Sequence, residues 1–171
     1  QIPDTLILVG DPERVPLVAQ FFDEITEMVH KREFVTHIGI LKGQKTGVLS
    51  SGIGADNVEI VLNELDALVN IDFETRETKS TKRSLKLIRI GTSGSIQESI
   101  PVDTFLISDA AIGFDNLAQF YGFESEKMLS SDSLADWCKS IHYPLPVYGA
   151  RASEMLMSKF KAILLHGYTL T

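Results

Sequence analysis

A chain of 171 residues with 44% hydrophobic content can bury the core of one α/β domain, and no shift in composition calls for a second. A net charge of −7 and a pI near 5.1 argue against nucleic acid or an anionic membrane as the main partner, because such binding needs a basic surface. The single cysteine, Cys138, cannot form an internal disulfide, and no signal-peptide pattern or membrane-length apolar run is present, so a cytoplasmic protein is expected.

Thr5 to Val9 reads as an apolar strand that stops at Gly10-Asp11-Pro12-Glu13-Arg14. Asp11 before Pro12 is a helix-start signal, and Pro16 predicts that the regular helix begins a few residues late. Leu17, Val18, Phe21 and Phe22 are its expected apolar face, with Arg14 in the first turn as a solvated residue or as part of a site. Glu24 to Lys42 is expected to be extended, since Phe34, Ile38 and Ile40 alternate with polar residues, and Lys42-Gly43-Gln44-Lys45 reads as a hairpin turn. Arg32 falls in the charged run His30-Lys31-Arg32-Glu33, which ordinarily marks an exposed edge. Gly47 to Ser51 returns as a strand and enters Ser51-Gly52-Ile53-Gly54-Ala55-Asp56-Asn57, a second strand-to-helix turn. Val58, Val61, Leu62, Leu65, Leu68 and Val69 then repeat at helical spacing. The turn is only a partial dinucleotide fingerprint, because Asn57 stands where the third glycine would be.

Asp72 to Ser84 is polar and aperiodic, and a mobile surface loop is expected. Leu87, Ile88 and Ile90 make a short strand that breaks at Gly91 into Thr92-Ser93-Gly94-Ser95. Arg89 lies inside this strand, and a buried guanidinium needs an anion, either a carboxylate of the protein or an anionic ligand. The glycines and hydroxyls beside it supply donors suited to a phosphate or carboxylate at a strand's C-terminal end. Val102 to Ala111 supplies another strand, followed by a polar, aromatic region from Gly113 to Tyr121. Ser125 to Ile141 is expected to be partly helical, with Cys138 as buried packing beside Trp137. Ser153 to Leu165 reads as a helix capped by Gly167, with Tyr168 to Thr171 opening a further strand. The histidines His30, His37, His142 and His166 show no ligand spacing, and no metal is assigned.

Taken together, these motifs resemble the nucleoside phosphorylase superfamily, with the nearest likeness to uridine phosphorylases. Gly10-Asp11-Pro12-Glu13-Arg14, Arg32-Glu33-Phe34, Ser51-Gly52-Ile53-Gly54 and Ile88-Arg89-Ile90-Gly91-Thr92-Ser93-Gly94-Ser95-Ile96-Gln97 follow the family's order across most of residues 5–111. The resemblance implies a three-layer α/β/α domain with a mixed central sheet, here a single unit spanning 1–171 and truncated at its C-terminal end. It implies phosphorolysis of a nucleoside, uridine or a related pyrimidine nucleoside, by inorganic phosphate, with no metal or cofactor. Gly10, Arg14, Arg32, Arg89 and Thr92 would bind phosphate, Arg89 and Thr92 having the catalytic role, and Ser93 and Gly94 would lie near the nucleoside. Arg32 would reach into a neighbouring subunit's site, so a homo-oligomer, a dimer or a hexamer, is implied. A purine nucleoside phosphorylase, a nucleosidase of the same fold and a non-catalytic binder are the alternatives.

Two departures from the family pattern stand out. The polar stretch from Glu74 to Arg83 lengthens a connection, and the family's base-reading and ribose-binding segments do not occur before Thr171. These residues are therefore expected to belong to a longer protein of about 250 residues.

Overall fold

Alternation along one strand, β1 (Thr5–Val9), sorts the first core into two layers, because successive side chains of a strand point to opposite faces. Leu6 and Leu8 pack with Leu49, Val61 and Leu65, whereas Val9 packs with Val15, Ala19, Phe22 and Val48. The helical partners on the first face, Val61 and Leu65, come from α2 (Ala55–Asn70), and those on the second, Val15 and Ala19, from α1 (Arg14–Ala19). The two helices therefore cover opposite faces of one sheet, giving helix, sheet and helix layers.

The computed structural model describes residues 1–121, 136, 138–143, 147–160 and 165–170, grouped in two units, Gln1–Ser93 and Gly94–Thr171. In the first unit β1 lies between β4 (Gln44–Ser50) and β7 (Lys86–Ile90) and runs parallel to both. Two antiparallel strands, β2 (Glu24–Lys31) and β3 (Phe34–Leu41), extend the sheet beyond β4, in the order β2-β3-β4-β1-β7. The sheet is mixed, with β2 and β7 at its edges. Short side chains are required where the strands crowd: a Cβ on Gly39 would stand 2.1 Å from the Glu24 carbonyl oxygen.

Several expected elements shift. The helix after β1 begins at Arg14 and buries Val15 and Ala19, while Leu17 and Phe21 of the expected apolar face point outward. Six residues give too short a helix for a full apolar stripe. Glu24–Lys42 breaks into two strands at Arg32-Glu33. The stretch expected to be a mobile loop contains a small hairpin, β5 (Ile71–Asp72) with β6 (Glu77–Thr78), and polar anchors. Asn70 is buried, and its amide donates to the Arg83 carbonyl at 3.1 Å and accepts from the Arg83 N–H at 2.7 Å. The Arg83 guanidinium then bonds to Asp4 and to the Ile2 carbonyl, tying the loop to the start of β1. That hydrogen bond, with the charges of Arg83 and Lys86, holds the Asp4 carboxyl below its ordinary range.

In the second unit β8 (Leu106–Gly113) is central, parallel to β10 (Leu165–Leu170) and antiparallel to β9 (Tyr148–Arg151). A 3-10 helix spans Leu117–Tyr121 and a single-turn α3 spans Glu154–Met157. The strand expected from Val102 starts later, with Val102 itself exposed. The helix expected over Ser153–Leu165 is likewise reduced to α3 among the described residues, and Gly167 is no cap: it lies within β10, where a Cβ would come within 2.9 Å of Leu106. Cys138 is buried, as expected, whereas most of Ser125–Ile141 falls outside the described residues.

Candidate functional site

Ser50, Val9 and Ile90 stand side by side, so β4, β1 and β7 end at one level and the turns at Gly52, Gly10 and Gly91 open on the same edge of the sheet. The carboxyl edge of parallel strands is where ligands enter open α/β sheets. Gly10 and Gly52 approach closely, a Cβ on the former lying 3.6 Å from the carbonyl oxygen of the latter. Gly52 cannot readily be replaced, since its φ is +71° and a Cβ would meet Asn57 Nδ2 at 2.7 Å. Asn57, which departs from the dinucleotide pattern, thus has a local use: its amide donates to the Ile53 carbonyl at 3.1 Å and closes the turn.

The helix-start reading at Asp11 holds in part. Its carboxylate accepts from the Glu13 N–H at 2.8 Å, and its carbonyl accepts from the Arg14 N–H at 3.1 Å, so Arg14 opens α1 one turn after Gly10. Arg14 is half-buried. Arg89 differs from expectation: it is exposed, because among the described residues β7 has β1 as its one neighbour in the sheet. Its guanidinium folds over Gly91, where a Cβ would lie 2.9 Å from Nη1. The argument that burial compels an anion therefore fails for Arg89. The internal salt bridge is also missing, since among the described residues neither Arg14, Arg32 nor Arg89 has a carboxylate partner.

Arg32 comes to the same edge by a different route. Lys31 pairs with Phe34, leaving Arg32 and Glu33 as a two-residue turn in which Arg32 alone is left-handed, at φ 55°. That position in a two-residue hairpin is ordinarily filled by glycine. The Ser50 hydroxyl donates to the Glu33 carbonyl at 2.7 Å and accepts from the Val35 N–H at 2.8 Å. His30 Nε2 stands 2.8 Å from the Arg32 carbonyl oxygen and donates to it when it carries the ring hydrogen. As Ser50 is the last residue of β4, these bonds dock the turn at the strand-end edge.

Thr92, Ser93 and Gly94 are exposed, and the hydroxyls of Thr92 and Ser93 hold no hydrogen bond among the described residues. A Cβ on Gly94 would meet open space. Structure thus groups Gly10, Arg14, Arg32, Arg89 and Thr92 on one edge of the first unit's sheet. Ser93 closes that unit and Gly94 opens the next.

Sequence reasoning missed two polar pairs in the second unit. His166 Nδ1 lies 2.7 Å from Asp109 Oδ1, and the Tyr148 hydroxyl donates to the two Asp115 carboxylate oxygens at 2.7 and 2.9 Å. Burial, then the Asp115 hydrogen bond and charge, push the Tyr148 phenol up to about 12. The partners are 57 and 33 residues apart, too far for a local pattern to reveal. Among the described residues no cluster of three or more His, Cys, Asp or Glu side chains could hold a metal ion. No helix among them is long and apolar enough to cross a membrane.

A helix-flanked mixed sheet whose parallel strand ends gather glycine turns and arginines, with no carboxylate partner to those arginines among the described residues, defines an α/β protein with a candidate anion site. The chain belongs to the phosphorylase superfamily, whose family model matches residues 4–170. It is 34% identical over 116 residues to a uridine phosphorylase of Thermococcus kodakarensis, covering 68% of this chain and 37% of that protein. It is 30% identical over 112 residues to a DeoD-type purine nucleoside phosphorylase of Listeria welshimeri, covering 65% of this chain and 42% of that one. A crystal structure of a Trypanosoma brucei nucleoside phosphorylase, described as showing uridine phosphorylase activity, superposes with a TM-score of 0.80 at 26% identity, covering 99% of this chain and 62% of that one. The matched part of the chain thus spans about two fifths of the length of these curated relatives.

Proposed function

We propose that this protein is a nucleoside phosphorylase that acts on uridine or a related pyrimidine nucleoside. Inorganic phosphate attacks the anomeric carbon as the N-glycosidic bond breaks, giving free base and ribose 1-phosphate. The observation that carries this reading is the convergence of Gly10, Arg14, the Arg32 turn, Arg89 and Thr92 on one strand-end edge, with no carboxylate of the described residues paired to any of the three guanidiniums.

The transition state joins a cation-like sugar to an incoming anion, so catalysis is largely positioning and charge placement. The planar forks of arginine hold a phosphate in one orientation better than the point charge of lysine. At about 1.5–3 kcal/mol for each charge-assisted bond, two or three arginines offset the desolvation of phosphate. Arg89 and Thr92 orient the nucleophile, Gly10 and Arg14 hold its far side, and Ser93 and Gly94 approach the sugar and base. Phosphate is a co-substrate, and neither metal nor cofactor takes part. Arg32 serves a neighbouring subunit's site in a cytoplasmic homo-oligomer.

The relative from Listeria welshimeri supports a second reading, a purine nucleoside phosphorylase. Incubating the protein with uridine, inosine and adenosine, with and without phosphate, decides between them. Phosphate-dependent uracil release supports the first reading and phosphate-dependent hypoxanthine or adenine release the second. Base release that ignores phosphate indicates a nucleosidase, and no release indicates a binding protein.

A further inference from the structure

We propose that His30 and Ser50 are positioning residues that hold Arg32 in its left-handed turn, so that its guanidinium is presented to the anion from a fixed backbone. The inference rests on the phosphorolytic reading and adds two residues to it. A turn of two exposed, charged residues would ordinarily be loosely held by water. Here the carbonyls of both turn residues meet side chains: His30 Nε2 at 2.8 Å for Arg32 and the Ser50 hydroxyl at 2.7 Å for Glu33. Ser50 also accepts from the Val35 N–H at 2.8 Å and is itself fully buried, so one hydroxyl joins β4 to both ends of the turn's second half.

The clamp has something to resist. A left-handed φ of 55° at a non-glycine residue persists only where its surroundings impose it. Released, Arg32 would relax toward negative φ, open the Lys31–Phe34 closure and lose the fixed backbone from which its side chain leaves. His30 is exposed, and water competes for its hydrogen bond, so its contribution is to orientation more than to global stability.

The test compares the unchanged protein with His30→Leu and His30→Gln, whose amide can donate to the same carbonyl, and with Ser50→Ala. Steady-state kinetics give KM for phosphate and for nucleoside, and mass spectrometry follows tryptic cleavage after Arg32 under native conditions. His30→Leu should raise the phosphate KM roughly fivefold, the equivalent of one net hydrogen bond, with nucleoside KM and melting temperature little changed. Cleavage after Arg32 should accelerate, and His30→Gln should restore both readouts. Ser50→Ala should accelerate cleavage further. An unchanged phosphate KM or an unchanged cleavage rate in His30→Leu, in a protein that does phosphorolyse, overturns the clamp alone. Absence of phosphate-dependent cleavage in the unchanged protein overturns the phosphorolytic reading and, with it, the purpose given to the clamp.

Discussion

Replacing Arg32 by glycine should make the protein more stable and less able to bind phosphate, and the two effects can be worked separately. The left-handed region costs a residue with a Cβ about 1–2 kcal/mol, and Arg32 sits there at φ 55°. Glycine removes that cost but loses about 0.5–1 kcal/mol more backbone entropy on folding, leaving a net gain of about 0.75 kcal/mol at the middle of the two ranges. For a unit the size of Gln1–Ser93 this corresponds to a rise of about 3–6 °C in melting temperature. On the functional side, losing one charge-assisted interaction of about 1.5–3 kcal/mol should weaken phosphate binding by roughly ten- to 150-fold. Arg32→Ala is the control, because it removes the same charge while keeping the Cβ in the strained position. Thermal unfolding and phosphate KM of both variants form the assay. If Arg32→Gly is no more stable than Arg32→Ala, the turn stores no strain; if its phosphate KM stays at the unchanged value, Arg32 is not an anion ligand.

Arg89→Ala should raise the phosphate KM with little change in melting temperature, since Arg89 is exposed on an edge strand; a lower melting temperature with intact phosphate affinity would point to a structural role. Gly39→Ala should destabilise by about 1–3 kcal/mol in denaturant unfolding, because its Cβ would lie 2.1 Å from a backbone oxygen of β2, and a neutral result would mean that this edge strand shifts freely. Asn70→Ala should cost a similar amount, about 1–3 kcal/mol, by leaving the Arg83 N–H and carbonyl without their shared partner, whereas shortening the tip at 74–76 should leave unfolding and kinetics nearly unchanged. Tyr148 has a folded pKa raised from 10.0 to about 12, so its contribution to stability is complete below pH 10 and is lost as pH rises to about 12. Phenolate absorbance should show a step near pH 12 from Tyr148, and Tyr148→Phe should remove it.

The parts of the fold that were legible are those whose reasons lie within a few residues. The strand Thr5–Val9 is read with its observed bounds because it is apolar from Leu6 onward and is followed by glycine, and as a strand paired on both sides it needs no other signal. The C-terminal half was less readable because its reasons are distant. Leu165 reads as the end of a helix and Gly167 as its cap, with a strand only from Tyr168, because the parallel partner β8 and the crowding side chain of Leu106, which place both residues in a strand, lie some sixty residues upstream. The polar run after Asp72 looked free for the same reason: its anchors are Asn70 on the preceding helix and Asp4 at the other end of the unit.

The site shows the same division, with one instructive exception. Gly10, Gly52 and Gly91 could be placed at strand ends from sequence, and strand register then brings them to one level, which no single motif could state. Arg89 was singled out for the wrong physical reason. A guanidinium buried in a strand would have to be compensated, but this one is exposed over Gly91 with no carboxylate partner among the described residues, so its place at the strand-end edge, not desolvation, is what supports the proposal that it binds phosphate. Arg32 was legible as exposed, but its strain was not, because nothing in His30-Lys31-Arg32-Glu33 marks a position where glycine would be easier. Only the paired strands on either side, with Ser50 beneath, require a left-handed residue there. An arginine kept at a position that favours glycine is a local conflict between stability and some other demand, and such conflicts gather at functional sites. By that reasoning the left-handed conformation of Arg32 supports the proposal that it serves as a phosphate ligand.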